Sequence, residues 1–209
     1  YKVANQAQVA FYLPAATLVE PTHLWVLFGG NAALALNWLS LVSAYPDPDV
    51  AFLLVDYPGY GYNEGTPTLK HNMEGANAAY AAFLKTVSYE PRSLNVVGHS
   101  LGAAIALGFT QTHKVDQLLL LSPFTSMQGM IQHLFPYIGK GLSPLLLDKY
   151  EVGSVLTQLQ LSQGRLNRVK IIHGANDAVV PVTLSRELAQ NHPGCVEYQE
   201  LMNVGHNID

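Results

Sequence analysis

Short apolar runs alternate along this chain with longer segments of helical period. Runs at residues 8–13, 24–28, 51–56, 93–97, 117–121, 169–173 and 196–201 are rich in Val, Leu, Ile and aromatic residues, and they predict strands. The segments 34–44, 69–87, 100–112 and 182–191 predict helices, the second with Ala-rich positions suited to lying on a sheet. Strand followed by helix, repeated, predicts an α/β protein with a mostly parallel sheet covered on both faces. The first strand is expected at an edge.

One stretch breaks the alternation. Between residues 123 and 167, Pro136, Gly139, Gly141, Pro144 and Gly153 interrupt apolar segments and no strand signal appears. This predicts a small helical, lid-like insertion over the sheet. Its apolar stretches at 134–138 and 145–147 are suited to wall a hydrophobic pocket or simply to cover the core. At 209 residues the whole chain, 1–209, fits one domain whose core needs no disulfide or structural metal.

Composition narrows the function classes. Charged residues make up only 12% of the chain, about half the usual ~25%, so the surface is expected to be unusually neutral. A net charge of −4 with scattered Lys and Arg offers no basic patch for nucleic acid. Cys195 is the single cysteine and reads as a buried structural thiol. No H-E-x-x-H or paired Cys/His motif suggests a metal, and no cofactor is implied. No apolar run reaches membrane-spanning length, and no basic amphipathic helix supports membrane association. A cytoplasmic place is favoured, with a leader or anchor ahead of Tyr1 left open.

The chemistry concentrates at Gly98-His99-Ser100-Leu101-Gly102, a glycine-flanked serine between a predicted strand and a predicted helix. In such an elbow the serine sits at a sharp, strained turn that presents its Oγ. A serine hydroxyl needs a histidine base and a carboxylate that fixes the base's tautomer. In a parallel sheet those partners are sought on loops after strands. Asp177, in His173-Gly174-Ala175-Asn176-Asp177, and His206, in Val204-Gly205-His206, both lie there. The order Ser100, Asp177, His206 suits a nucleophile-elbow hydrolase.

Other titratable residues fit less well. His99 and His173 read as packing or hydrogen-bonding residues, and His23, His71, His113, His133 and His192 as surface residues. Asp56 also follows a strand, but its Tyr57-Pro58-Gly59-Tyr60-Gly61 continuation reads first as a turn. An oxyanion needs backbone donors, expected from the N–H of Leu101 and from the loop Gly29-Gly30-Asn31-Ala32, with the Asn31 N–H favoured.

Together these segments, with Ser122-Pro123-Phe124-Thr125-Ser126, resemble the α/β-hydrolase superfamily, and within it the small BEM46-like serine hydrolases. The resemblance spans nearly the whole chain and implies an α/β-hydrolase fold with Ser100 as nucleophile, Asp177 as acid, His206 as base, and Asn31 and Leu101 at the oxyanion hole. It implies a small-molecule carboxylic ester or thioester substrate. Gly29 stands where such proteins usually carry a histidine. The chain ends three residues after His206, before the further helix that the resemblance would place there. A peptidase with the same triad and a non-catalytic binding protein on the same fold are the alternative readings.

Overall fold

The computed structural model describes residues 1–17, 23–87, 89–126, 152–161 and 166–207. Its centre is a seven-stranded sheet built from β3 (Ala10–Leu13), β4 (His23–Phe28), β5 (Val50–Val55), β6 (Ser93–His99), β7 (Val115–Leu121), β8 (Leu166–Gly174) and β9 (Val196–Leu201). The spatial order is β3-β5-β4-β6-β7-β8-β9. Only β3 runs antiparallel, at the edge where the first strand is predicted. A short hairpin that the pattern does not reveal, β1 (Lys2–Val3) with β2 (Gln6–Ala7), precedes that predicted run, whose strand starts at Ala10.

Helix α2 (Leu69–Thr86) and α3 (Leu101–Thr112) pack on one face of the sheet. In β4, Leu24, Val26 and Phe28 alternate onto that face, and Leu27 faces the other way with Val97, Leu121 and Ala35. Residues Gly102 to Thr110 of α3 are all buried. The glycines and alanines among them let the helix press against both the sheet and α2.

The predicted helix 34–44 is two pieces, a 3-10 turn (Ala35–Trp38) followed by α1 (Leu39–Ala44). The Asp56 carboxylate accepts from the Ala35 N–H at 2.6 Å, which pins the start of the turn. Most of the predicted insertion, including His133, lies outside the described residues. Within it, α4 (Val152–Leu161) buries Val152, Leu156 and Leu159 in the main core and packs against α3. Helix α5 (Val182–Asn191) precedes β9.

The strand order decides where the chemistry gathers. From β4 the chain passes to β5 on one side and then to β6 on the other, so the carboxyl ends of β4 and β6 form the switch point at which open α/β sheets bind ligands. Phe28 pairs with Gly98 across it. The loop of Gly29, Gly30 and Asn31 therefore starts beside the turn that carries Ser100.

Candidate active site

Ser100 follows β6 and caps α3 with φ 53° and ψ −113°, a conformation rare for a residue with a side chain. The flanking glycines explain how the turn closes. A Cβ at Gly98 would run into the Gly102 carbonyl, and one at Gly102 would run into the carbonyls of Phe28 and Gly29. Ser100 is 7% exposed, and its N–H donates to the Leu121 carbonyl at 2.9 Å.

Asp177 lies in the loop after β8, with its side chain fully buried. Oδ1 accepts from the N–H groups of Val179 and Val180, both at 2.8 Å. Oδ2 accepts from His206 Nδ1 at 2.7 Å and from His173 Nε2 at 3.0 Å. Burial pushes this carboxyl up, but the hydrogen bonds from His206, Val180 and Val179 outweigh it and hold Asp177 below the ordinary carboxylate value.

The loop after β9 carries His206. Its backbone crosses Gly174 so closely that a Cβ there would strike the carbonyls of Val204 and Gly205. Asn176 N–H donates to Val204 O at 2.9 Å and ties the two loops together. His99 Nε2 donates to the His206 carbonyl at 3.0 Å, and the two rings lie 4.7 Å apart. With Nδ1 committed to Asp177, His206 keeps Nε2 free of any hydrogen bond among the described residues. Ser100 Oγ likewise has no partner there, an arrangement common before substrate binds.

Across the switch point, the loop after β4 is held from outside. Tyr57 Oη donates to Gly29 O at 2.7 Å, Tyr60 Oη donates to Asn31 Oδ1 at 2.7 Å, and Ala32 N–H donates to Tyr60 Oη at 3.2 Å. Both tyrosines come from the loop after β5, which sequence reasoning takes only as a turn. Its place at a strand's carboxyl end is the signal that could have marked it. The amides of Asn31 and Leu101 have no hydrogen-bond partner among the described residues.

A cavity of about 780 Å³ runs from this loop along α1, with Asn31, Leu34, Trp38, Leu41, His99 and Asn207 among its walls. Neither Ser100 nor His206 lines it. One end of it is walled by Gly30, His99 and Asn207, chain or spatial neighbours of Ser100 and His206, and the rest follows α1.

The structure brings Asp177 and His206 into contact, and it sets Asn31 on the loop beside the turn of Ser100 and the first residue of α3, Leu101. The expected packing roles fit His99 and His173, which both bond within the cluster. His192 is not a surface residue: it is 5% exposed, with Nδ1 on the Leu188 carbonyl and Nε2 beside Thr157 Oγ1. The turn after α5 folds its ring inward against α4. Cys195 is only half-buried, and burial raises its thiol's pKa.

A parallel sheet with a strained serine at its switch point, and an acid and a histidine on later strand-end loops, defines an α/β-hydrolase architecture. The chain belongs to the alpha/beta hydrolase family, whose family model matches residues 25–170. An uncharacterized protein of Mycobacterium tuberculosis is 32% identical over 178 residues, covering 85% of this chain and 60% of that protein. The protein bem46 of Schizosaccharomyces pombe is 25% identical over 170 residues, 78% of this chain and 53% of its own length. The chain thus spans about 53–60% of the length of these relatives. Among solved structures, Est1E from Butyrivibrio proteoclasticus with bound ferulic acid superposes with a TM-score of 0.68 at 18% identity, over 98% of this chain and 89% of that one. The enzyme MGS-M2 from a deep-sea metagenome reaches 0.71 at 16% identity, over 99% and 90%. These likenesses bear on the fold.

Proposed function

We propose that this protein is a serine hydrolase that cleaves carboxylic esters or thioesters through an acyl-enzyme. One observation carries the reading: a strained serine at the sheet's switch point shares its strand-end cluster with a buried carboxylate bonded to the Nδ1 of a histidine whose Nε2 is free. Asp177 holds the His206 proton on Nδ1, so the lone pair sits on Nε2, the nitrogen a base needs. Ser100 Oγ attacks the acyl carbonyl as His206 takes its proton. The amides of Asn31 and Leu101 receive the oxyanion, a contribution of roughly 2.7–4 kcal/mol per donor in such sites. His206 then protonates the departing alkoxide or thiolate, and water activated by the same ring releases the acid.

The ferulic acid held by Est1E is a carboxylic acid, which supports an acyl substrate. The test is covalent labelling by a fluorophosphonate, with hydrolysis of an ester, thioester and peptide panel. The wild type should label and turn over esters or thioesters, and Ser100→Ala should lose both. Labelling that persists in Ser100→Ala removes Ser100 as the nucleophile; peptide turnover alone moves the protein to the peptidases.

A further inference from the structure

His173 is fully buried at the end of β8 and bonds the same Asp177 oxygen as His206 does. Its protonation pattern follows from its neighbours. Nε2 lies 3.0 Å from Asp177 Oδ2 and 2.9 Å from the Val180 carbonyl, and both are acceptors, so Nε2 carries the proton. Nδ1 lies 2.7 Å from Ser185 Oγ, itself fully buried on α5. That hydroxyl has a second, longer neighbour in the Pro123 carbonyl at 3.2 Å. A neutral ring with its proton on Nε2 has a lone pair on Nδ1, and the shorter contact takes the Ser185 hydrogen. Burial favours the neutral ring, lowering the His173 pKa against the pull of Val180 and Asp177.

The result is a chain of buried hydrogen bonds: Ser185 O–H to His173, His173 N–H to Asp177, and His206 N–H to the same Asp177 oxygen. From this geometry we infer that His173, held with its proton on Nε2 by Asp177 and the Val180 carbonyl and seated by Ser185, is a positioning residue that divides the Asp177 Oδ2 charge with His206 and so tunes the basicity of the catalytic histidine. The inference rests on the hydrolase reading above. Two donors on one oxygen compete, so each receives less of its negative charge. Without His173, Oδ2 serves His206 alone, the imidazolium is better stabilised, and the base holds its proton to higher pH.

The other titratable groups facing this chain are few. His99 stacks on His206 and carries a proton-linked interaction with both His173 and Asp177. Glu200, opposite His173 on β9, is ion-paired with Arg186 of α5. None of these changes in the variants below.

The experiment is the pH profile of kcat/KM for purified wild type, His173→Leu, His173→Gln and Ser185→Ala, normalised to fluorophosphonate-titrated sites. In His173→Leu the acid limb should move up by roughly half to one pH unit, the equivalent of one net hydrogen bond, and, because Asp177 Oδ2 loses one of the two donors that hold it in place, the less well oriented imidazole should lower kcat about tenfold with KM nearly unchanged. His173→Gln, whose amide can place an N–H near the Nε2 position, should restore most of both. Ser185→Ala should shift the limb the same way by less, which serves if the leucine variant does not fold. Variants that lose only thermal stability, with wild-type acid limb and kcat per titrated site, overturn the inference and leave His173 a packing residue. A wild type that neither labels nor hydrolyses any acyl substrate overturns the hydrolase reading instead.

Discussion

Four donors converge on the buried carboxylate of Asp177, whereas the amides of Asn31 and Leu101 across the switch point have no partner among the described residues. Under the proposed mechanism the acid and base are side chains with several rotamers, which work only if fixed before substrate arrives. Saturating the carboxylate with donors both fixes it and keeps it ionised in a dry site. The oxyanion donors of that proposal have the opposite requirement. Their N–H groups must stay unfilled, so the loop carrying Asn31 takes its rigidity from bonds to other atoms. Tyr57 holds the Gly29 carbonyl, and Tyr60 spans the Asn31 side chain and the Ala32 N–H. The acid side is organised by what it binds, and the oxyanion side by what surrounds it.

The sharpest break of this contrast is Asp177→Asn. An amide at 177 must point its NH₂ either at the two amides of Val179 and Val180 or at the two imidazole N–H groups, so donors face donors in either orientation. His206 then tends to the wrong tautomer, and kcat is expected to fall on the order of 10⁴-fold, as for the equivalent change in a Ser-His-Asp enzyme. Melting should also drop by the equivalent of about 1–3 kcal/mol, the penalty of unsatisfied buried groups. A loss of less than tenfold in kcat would show that the saturated carboxylate is not what organises the base.

Much of this arrangement is legible in the chain, and the remainder has a physical reason for being hidden. The elbow is visible because its strain demands glycines on both sides of Ser100, and a sequence records that demand directly. Asp177 and His206 are visible because each follows an apolar run and a glycine. The order of the strands is not, because pairing of β4 with both β5 and β6 is non-local and many orders fit one pattern. The partners of the site are hidden for the same reason. His173 stands four residues before Asp177 in a segment that reads as a strand end, and Ser185 reads as one more polar residue on an amphipathic helix. Tyr60 falls in a glycine-rich turn, where an aromatic residue suggests nothing about a loop 29 residues earlier. The start of the turn at Ala35 is pinned by Asp56, a partner no local propensity reports.

A smaller effect separates the two sides by titration. Burial lowers the pKa of His99 and of His173 below the ordinary histidine value of 6.5. The folded protein keeps both rings neutral while the unfolded chain takes up their protons, so their contribution to stability is complete above about pH 6.5 and is lost as pH falls toward the folded values. His113, at the far end of α3, is lowered by burial too and adds in the same direction. Melting temperature should therefore fall between pH 7.5 and 5.5, and His173→Gln, which has no ring to titrate, should flatten that dependence. A melting temperature constant across this range would mean that these histidines take up protons in the folded state as readily as in the unfolded chain.

The gentlest probe lies on the oxyanion side. Tyr60→Phe removes a hydroxyl that donates to Asn31 Oδ1 and accepts from Ala32 N–H, and it leaves the ring packed edge-on against Tyr57. Ala32 has φ 61°, an uncommon conformation for alanine, so the loop depends on its neighbours to keep it there. Solvent reaches these groups, and water can replace the lost bonds, which limits the cost to about 0.5–1.5 kcal/mol. Because the oxyanion forms only in the transition state, a loosened Asn31 amide should lower kcat several-fold with KM unchanged. The pH dependence of melting should match the wild type, since no histidine or carboxylate has been touched. If KM rises while kcat holds, the loop positions the substrate rather than the oxyanion, and the assignment of the Asn31 N–H passes to another donor.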